Sequence, residues 1–128
     1  MHPVDDRQAS DTGSASLTIV LLAPALLVLM FAGFQAALWN HTRTEARVVA
    51  REAAVLVARD HVSAQQASTA ASMALTRDSL LTGPRVSVET TATDVVVTIT
   101  GDAPGILRGT SERVRVRVAL PVEGWVGL

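Results

Sequence analysis

Leu17-Thr18-Ile19-Val20-Leu21-Leu22-Ala23-Pro24-Ala25-Leu26-Leu27-Val28-Leu29-Met30-Phe31-Ala32-Gly33-Phe34-Gln35-Ala36-Ala37-Leu38-Trp39 is a run of 23 residues without one charged side chain. As a helix rising about 1.5 Å per residue it is roughly 35 Å long, enough to cross a hydrocarbon core of about 30 Å. Thr18 and Gln35 are its only clearly polar members, and both lie near its ends. A cleaved secretory signal has a basic start and an apolar stretch of about 7–15 residues. Here the preceding Met1-His2-Pro3-Val4-Asp5-Asp6-Arg7 is acidic apart from one arginine, and the run is too long. The sequence therefore predicts a retained, single membrane-spanning helix over residues 17–39.

Working outward, residues 1–13 read as a disordered polar leader, with Ser14 or Ser16 able to cap the helix that follows. Pro24 removes one backbone donor and leaves the Val20 carbonyl without its usual partner, a weak spot inside lipid. Ala32, Gly33, Ala36 and Ala37 form a small-residue face at i, i+4 spacing, which lets another helix approach closely. Alanine and glycine are also simply common in membrane helices, and the two readings weigh about equally.

The helix is expected to continue to residue 60. Val48, Val55 and Val62 recur every seven residues beside Val49, Ala53 and Leu56, giving one apolar face. Arg43, Arg47 and Arg51 line up on the other side. They read first as a solvated face near headgroups, and more sharply as contacts to acidic lipids or a neighbour's carboxylates. Ser63-Ala64-Gln65-Gln66 has capping-box spacing and predicts a second helix over 63–81, closed by Thr82-Gly83-Pro84.

After Pro84 the period changes from 3.6 to 2. Val86 and Val88, then Val95, Val97 and Ile99, then Val114, Val116, Val118 and Leu120 alternate with mainly polar residues. This predicts a three-stranded antiparallel sheet over 85–120, with a hairpin at Thr91-Ala92-Thr93 and a short tail at 121–128. Its apolar face needs cover, and the chain offers only its helices. Ile106 and Leu107, in the second loop, are expected to tuck against the core. Arg113, Arg115 and Arg117 read first as edge-strand charges that discourage stray pairing, with Glu89 or Asp94 as partners, and second as a dock for an acidic partner. The fold class is α+β: a long N-terminal transmembrane helix, a second helix and a sheet packed on the helix.

Chemistry is sparse. His2, His41 and His61 are scattered, no cysteine exists, and no HExxH, nucleophile elbow or phosphate loop occurs. This points away from an enzyme and to no catalytic residue, cofactor or metal. A formal charge of −1, with two Phe, two Trp and no Tyr, disfavours nucleic acid, and no small-molecule substrate is indicated.

The stretch Gly13-Ser14-Ala15-Ser16-Leu17-Thr18-Ile19-Val20-Leu21-Leu22-Ala23-Pro24-Ala25-Leu26-Leu27 resembles the start of the TadE-like family of tight-adherence pilus assembly proteins. The Thr44–Asp60 helix, the valine-rich sheet and the Pro121-Val122-Glu123-Gly124-Trp125 ending look similar too. The resemblance implies a pilin-like pseudopilin cleaved after Gly13, with Ser14 as the new N-terminus. The family usually carries Glu at the fifth position after that cut, where this chain has Thr18. Its Thr hydroxyl is expected to bond back to the helix. The resemblance also implies partners among membrane lipids, other pilin-like subunits and the tight-adherence inner-membrane machinery. It places the leader in the cytoplasm and the sheet outside the cell membrane. Arg7 before the span against Arg43, Arg47, Arg51 and Arg59 after it argues the opposite by the positive-inside rule. The second reading of the chain is a single-pass anchored binding module without processing or polymerisation.

Overall fold

The computed structural model describes residues 6–122, with side chains from Gly13 onward. The element order is α1 (Asp6–Ala58), α2 (Ala64–Asp78), β1 (Thr82–Thr90), β2 (Asp94–Ala103) and β3 (Glu112–Pro121). This is the α+β order read from the pattern, with an antiparallel sheet packed against the helices. Residues 1–5 of the expected leader and 123–128 of the expected tail lie outside the described residues. The chain divides into two compact units, one ending at Gln35 and the other starting at Ala36.

In the first unit α1 is already helical at Asp6, eight positions before the expected start at Ser14. Residues 6–12 hold neither Pro nor Gly, so helix propagates backwards from the apolar run once Gly13 is crossed, at a cost of about 1 kcal/mol. Every described side chain from Gly13 to Phe34 is exposed, including Leu21 at 68% and Met30 at 70%. An apolar helix that no described residue covers has its natural solvent in lipid, and α1 fits a single-pass membrane anchor. Helix persists through Pro24. The Thr18 hydroxyl donates to the Ser14 carbonyl at 2.8 Å, as expected for a hydroxyl in an apolar helix.

In the second unit the buried face of α1 shares Ala53 and half-buried Val49 with the apolar face read from the heptad spacing, but it is not centred on Val48 and Val55. Ala46, Ala50, Ala53, Ala54, Val57 and Ala58 are buried, while Val48 is 52% exposed. At about 100° per residue, Ala50 and Val57 lie on the opposite side of the helix from Val48 and Val55. Alanine wins because it lets a second helix and a sheet approach α1 closely, whereas valines would hold them apart. From α2 come Ala67, Ala71 and Leu75, and together these residues cover the sheet.

The end of α1 is a left-handed cap. Val62 N–H donates to the Leu56 carbonyl at 3.2 Å, Asp60 N–H shares that acceptor at 3.2 Å, and His61 has φ 54°. This bond spans one residue more than a Schellman bond, and together with left-handed His61 it stops the helix at a position where glycine is the usual occupant. An L-residue pays about 1–2 kcal/mol of strain there. His61 is exposed, so His61→Gly should raise stability by about 0.5–1 kcal/mol after glycine's own backbone entropy is subtracted. A urea titration of the detergent-solubilised chain checks it, and an unchanged or lower midpoint would contradict it.

Helix α2 starts as its capping spacing predicts, with the Ser63 hydroxyl accepting from Gln66 N–H at 3.2 Å. It stops earlier than expected, at Asp78, where Ser79 turns to extended backbone. Thr82-Gly83-Pro84 is therefore not a helix stop but the start of β1, so the sheet spans 82–121. A register shift between Thr82 and Arg85 marks a bulge there, with Gly83 at φ 59°. Proline is tolerated because β1 is an edge strand.

The sheet order is β1-β2-β3. Inward rows are Val88–Val97–Val118 and Val86–Ile99–Val116, set by the two antiparallel registers. Val95, Val97 and Ile99 are fully buried on the central strand. Each such side chain contributes about 1.5–3 kcal/mol of transfer free energy. Gly101 keeps the same face clear for Leu81, since a Cβ there would lie 2.5 Å from Leu81 Cγ. The 91–93 link forms a tight hairpin in which Thr91 N–H donates to the Asp94 carbonyl at 2.8 Å, and Asp94 N–H donates to the Thr91 hydroxyl at 3.0 Å. Ile106 and Leu107 do not tuck inward as expected. They are 37% and 68% exposed, because the core is already filled by helix alanines.

Candidate functional site

Gly13 and Ser14, the residues at the implied cut, are helical and exposed. Nothing within 4 Å would meet a Cβ placed on Gly13 or on Gly33. Gly33 is thus not required for packing inside the chain. Pro24, Ala32 and Gly33 are exposed in the first unit, and Ala36 and Ala37 are exposed in the second. Their side chains leave the surface of α1 free for a neighbour, with the small residues giving the closest approach.

The helix arginines have different surroundings. Arg43 pairs with Glu112 at 3.8 Å, both about 43% exposed, which ties α1 to the start of β3. Such an exposed pair contributes about 0–1 kcal/mol, so it orients more than it stabilises. Arg47 and Arg51 instead border a groove of about 400 Å³ that Thr44, Val48, Val118 and Leu120 also line. Rather than standing opposite the valine stripe, they flank it. On the acidic flank His41 Nε2 lies 3.1 Å from Glu45 Oε1.

Arg113, Arg115 and Arg117 project from the open face of edge strand β3, alternating with buried Val114 and Val116. The pairing partner of Arg113 is Asp102, directly across the strand at 3.8 Å, and not the expected Glu89 or Asp94. Asp94 sits at the far end, opposite Pro121, and its carboxylate accepts from the Thr93 hydroxyl at 3.0 Å. Glu89 faces Val96, two strands away from the arginines. Register brings in one residue that strand-by-strand reading missed. Arg85 on β1 lies opposite Thr100, which lies opposite Arg115, so the open face carries a fourth arginine. The alternation Arg85-Ser87-Glu89 held that signal once the hairpin register was known. Glu112, the partner of Arg43, carried no signal in sequence because the pair is long-range.

Among the described residues no group of three or more His, Asp or Glu side chains is placed to hold a metal ion. What the molecule presents is three surfaces: an uncovered apolar helix, a valine ridge between opposite charges, and an arginine-bearing sheet face. Searches of the curated proteins and of the solved structures give no match to the chain. Residues 13–55, the apolar run together with most of its helical continuation, match the family model described as TadE-like protein, so this part of the chain is similar to that family.

Proposed function

We propose that the chain is a non-catalytic, single-pass membrane protein of tight-adherence pilus assembly, a TadE-like pseudopilin or minor pilin that acts by packing its helix against other helices in the membrane. The carrying observation is that the fully exposed, uncharged part of α1 falls within the segment matched by the TadE-like model. An apolar helix exposed on all sides gains nothing from its own chain, so its contacts are lipid and other helices. Pro24 and the small residues Ala32, Gly33, Ala36 and Ala37 are the contact residues in this reading. Partners are other pilin-like subunits and the inner-membrane assembly machinery. The N-terminus is cytoplasmic and the sheet extracytoplasmic.

In this reading Gly13-Ser14 is the cleavage junction, and Thr18 replaces the family's glutamate. Its hydroxyl proton goes to the Ser14 carbonyl, and unlike glutamate it brings no charge to meet a neighbour's amine. N-terminal sequencing and intact mass of the membrane-extracted protein test processing. A chain beginning at Ser14 is expected, and one still beginning at Met1 would remove the pseudopilin mechanism while leaving the anchor. Cysteine pairs test packing, because the chain has no native cysteine. Gly33→Cys and Ala37→Cys should self-crosslink in membranes.

The anchored binding module remains the second reading, favoured by one observation. The open sheet face gathers Arg85, Arg113, Arg115 and Arg117, of which Arg115 and Arg117 face only threonines across the strand. Crosslinks formed solely with an unrelated protein would favour it.

A further inference from the structure

Among the described residues the second unit leaves one helix face without a partner. Val48 is 52% exposed, and three grooves share it as a lining residue. One of about 540 Å³ runs along Arg51, Glu52, Val55 and Leu56, one of about 400 Å³ lies toward β3, and one of about 330 Å³ lies toward α2. A protruding apolar ridge with a hollow on each side is the shape that lets side chains of a facing helix interdigitate. His41, Thr44, Val48, Arg51 and Val55 follow alternating steps of three and four, the spacing of a helix–helix seam.

Charge decides what covers it. At about 100° per residue, Glu45 and Glu52 fall on one flank of this seam and Arg47 on the other, with Arg51 on the seam itself. Among the described residues Arg47, Arg51 and Glu52 make no ion pair within the chain. In a parallel pair of helices the left flank of one meets the right flank of the other, whereas in an antiparallel pair like flanks meet. A surface with acid on one side and base on the other is thus complementary to a parallel copy of itself, and repels an antiparallel one.

We propose that this face is the docking site for a second copy of the chain, packed parallel and in register, with Arg47 of each copy paired to Glu52 of the other. The five-residue step from 47 to 52 is the one that joins flanking positions across a parallel seam. The proposal rests on the reading that α1 anchors the chain, because anchors inserted with one polarity enforce the parallel arrangement. It adds a contact outside the membrane that sets register, which small residues in lipid leave undefined.

The test uses the full chain in membranes. Val48→Cys or Val55→Cys is oxidised to a disulfide and the product weighed by mass spectrometry. Same-residue dimers are expected. In that background R47E or E52R should lower dimer yield by about fivefold or more, since each turns both pairs into like charges. The double variant R47E/E52R should restore it, and mixing the two single variants should give crosslinks between them in preference to crosslinks within either. Arg47 and Glu52 are both exposed, and circular dichroism of each variant confirms that the fold is kept. Failure of the double variant to restore the dimer overturns the proposal, as does an adduct to a different protein. Gly33→Cys dimers without Val48→Cys dimers would overturn it while sparing helix packing in the membrane. Absence of both would sink the two together.

Discussion

Membrane retention should collapse when Leu27 and Val28 are both replaced by arginine. The two side chains lie near the middle of the apolar run, and Leu27 and Val28 are 54% and 67% exposed along a helix that no described residue covers. An arginine at the centre of a spanning helix costs about 2.5–3.5 kcal/mol on insertion scales, so the pair costs about 5–7 kcal/mol. Neither guanidinium can reach water by stretching along its stem from mid-span, as arginines near the ends do. The measurement is the fraction of protein left in the pellet after an alkaline wash. Retention of the wild-type chain and loss of the double variant is expected. If both stay in the pellet alike, the apolar run is not what holds the protein. The matched control is Arg at Leu17 and Leu38, near the run's ends, where the same charges should be tolerated.

The second large effect lies in the core of the C-terminal unit. Leu75 is fully buried and stands among alanines, with Ala71 on its own helix and Val95, Val97 and Ile99 on the central strand in the same cluster. Leu75→Ala removes the bulkiest side chain that α2 buries. Alanine neighbours have no side-chain freedom with which to fill the gap, so the cavity persists. The expected loss is therefore toward the upper part of the about 2–5 kcal/mol range for such truncations. A unit this small has little stability to spare, and a loss of that size should unfold it near growth temperature. Thermal melting of the detergent-solubilised chain, followed at a wavelength that reports strand, checks this. A Leu75→Met variant keeps the volume and should cost less than about 1.5 kcal/mol. Equal melting of the alanine variant and the wild type would show that α2 does not cover the sheet.

Both effects were legible in different degrees. The apolar run was readable residue by residue, because lipid imposes its demand on every side chain of a spanning helix and leaves no ambiguity of face. Strand alternation was equally plain: Val95, Val97 and Ile99 point one way and Thr98 and Thr100 the other, since the period of two follows from backbone geometry alone. The Ser63 cap was local too, a hydroxyl meeting an amide three residues on.

Helix α1 beyond the bilayer is where local reading failed. Two faces there are apolar, the valine stripe and the alanine stripe, and hydrophobicity favours the wrong one. Choosing between them required knowing that a second helix and a sheet both lie against α1, so that small volume outweighs greasiness. Misreading Gly83-Pro84 as a helix stop has a similar cause. Both residues disfavour helix, but they also suit a bulge on an edge strand, and strand pairing with Asp102 made the choice.

The amino-acid order alone thus established an anchor, two helices and three strands, because solvent, backbone period and capping act within a few residues. Long-range packing settled which face of α1 was consumed, which carboxylates met Arg43 and Arg113, and which valines were left outside. Those outcomes depend on volumes and charges brought together from distant parts of the chain, and no window of neighbouring residues contains them.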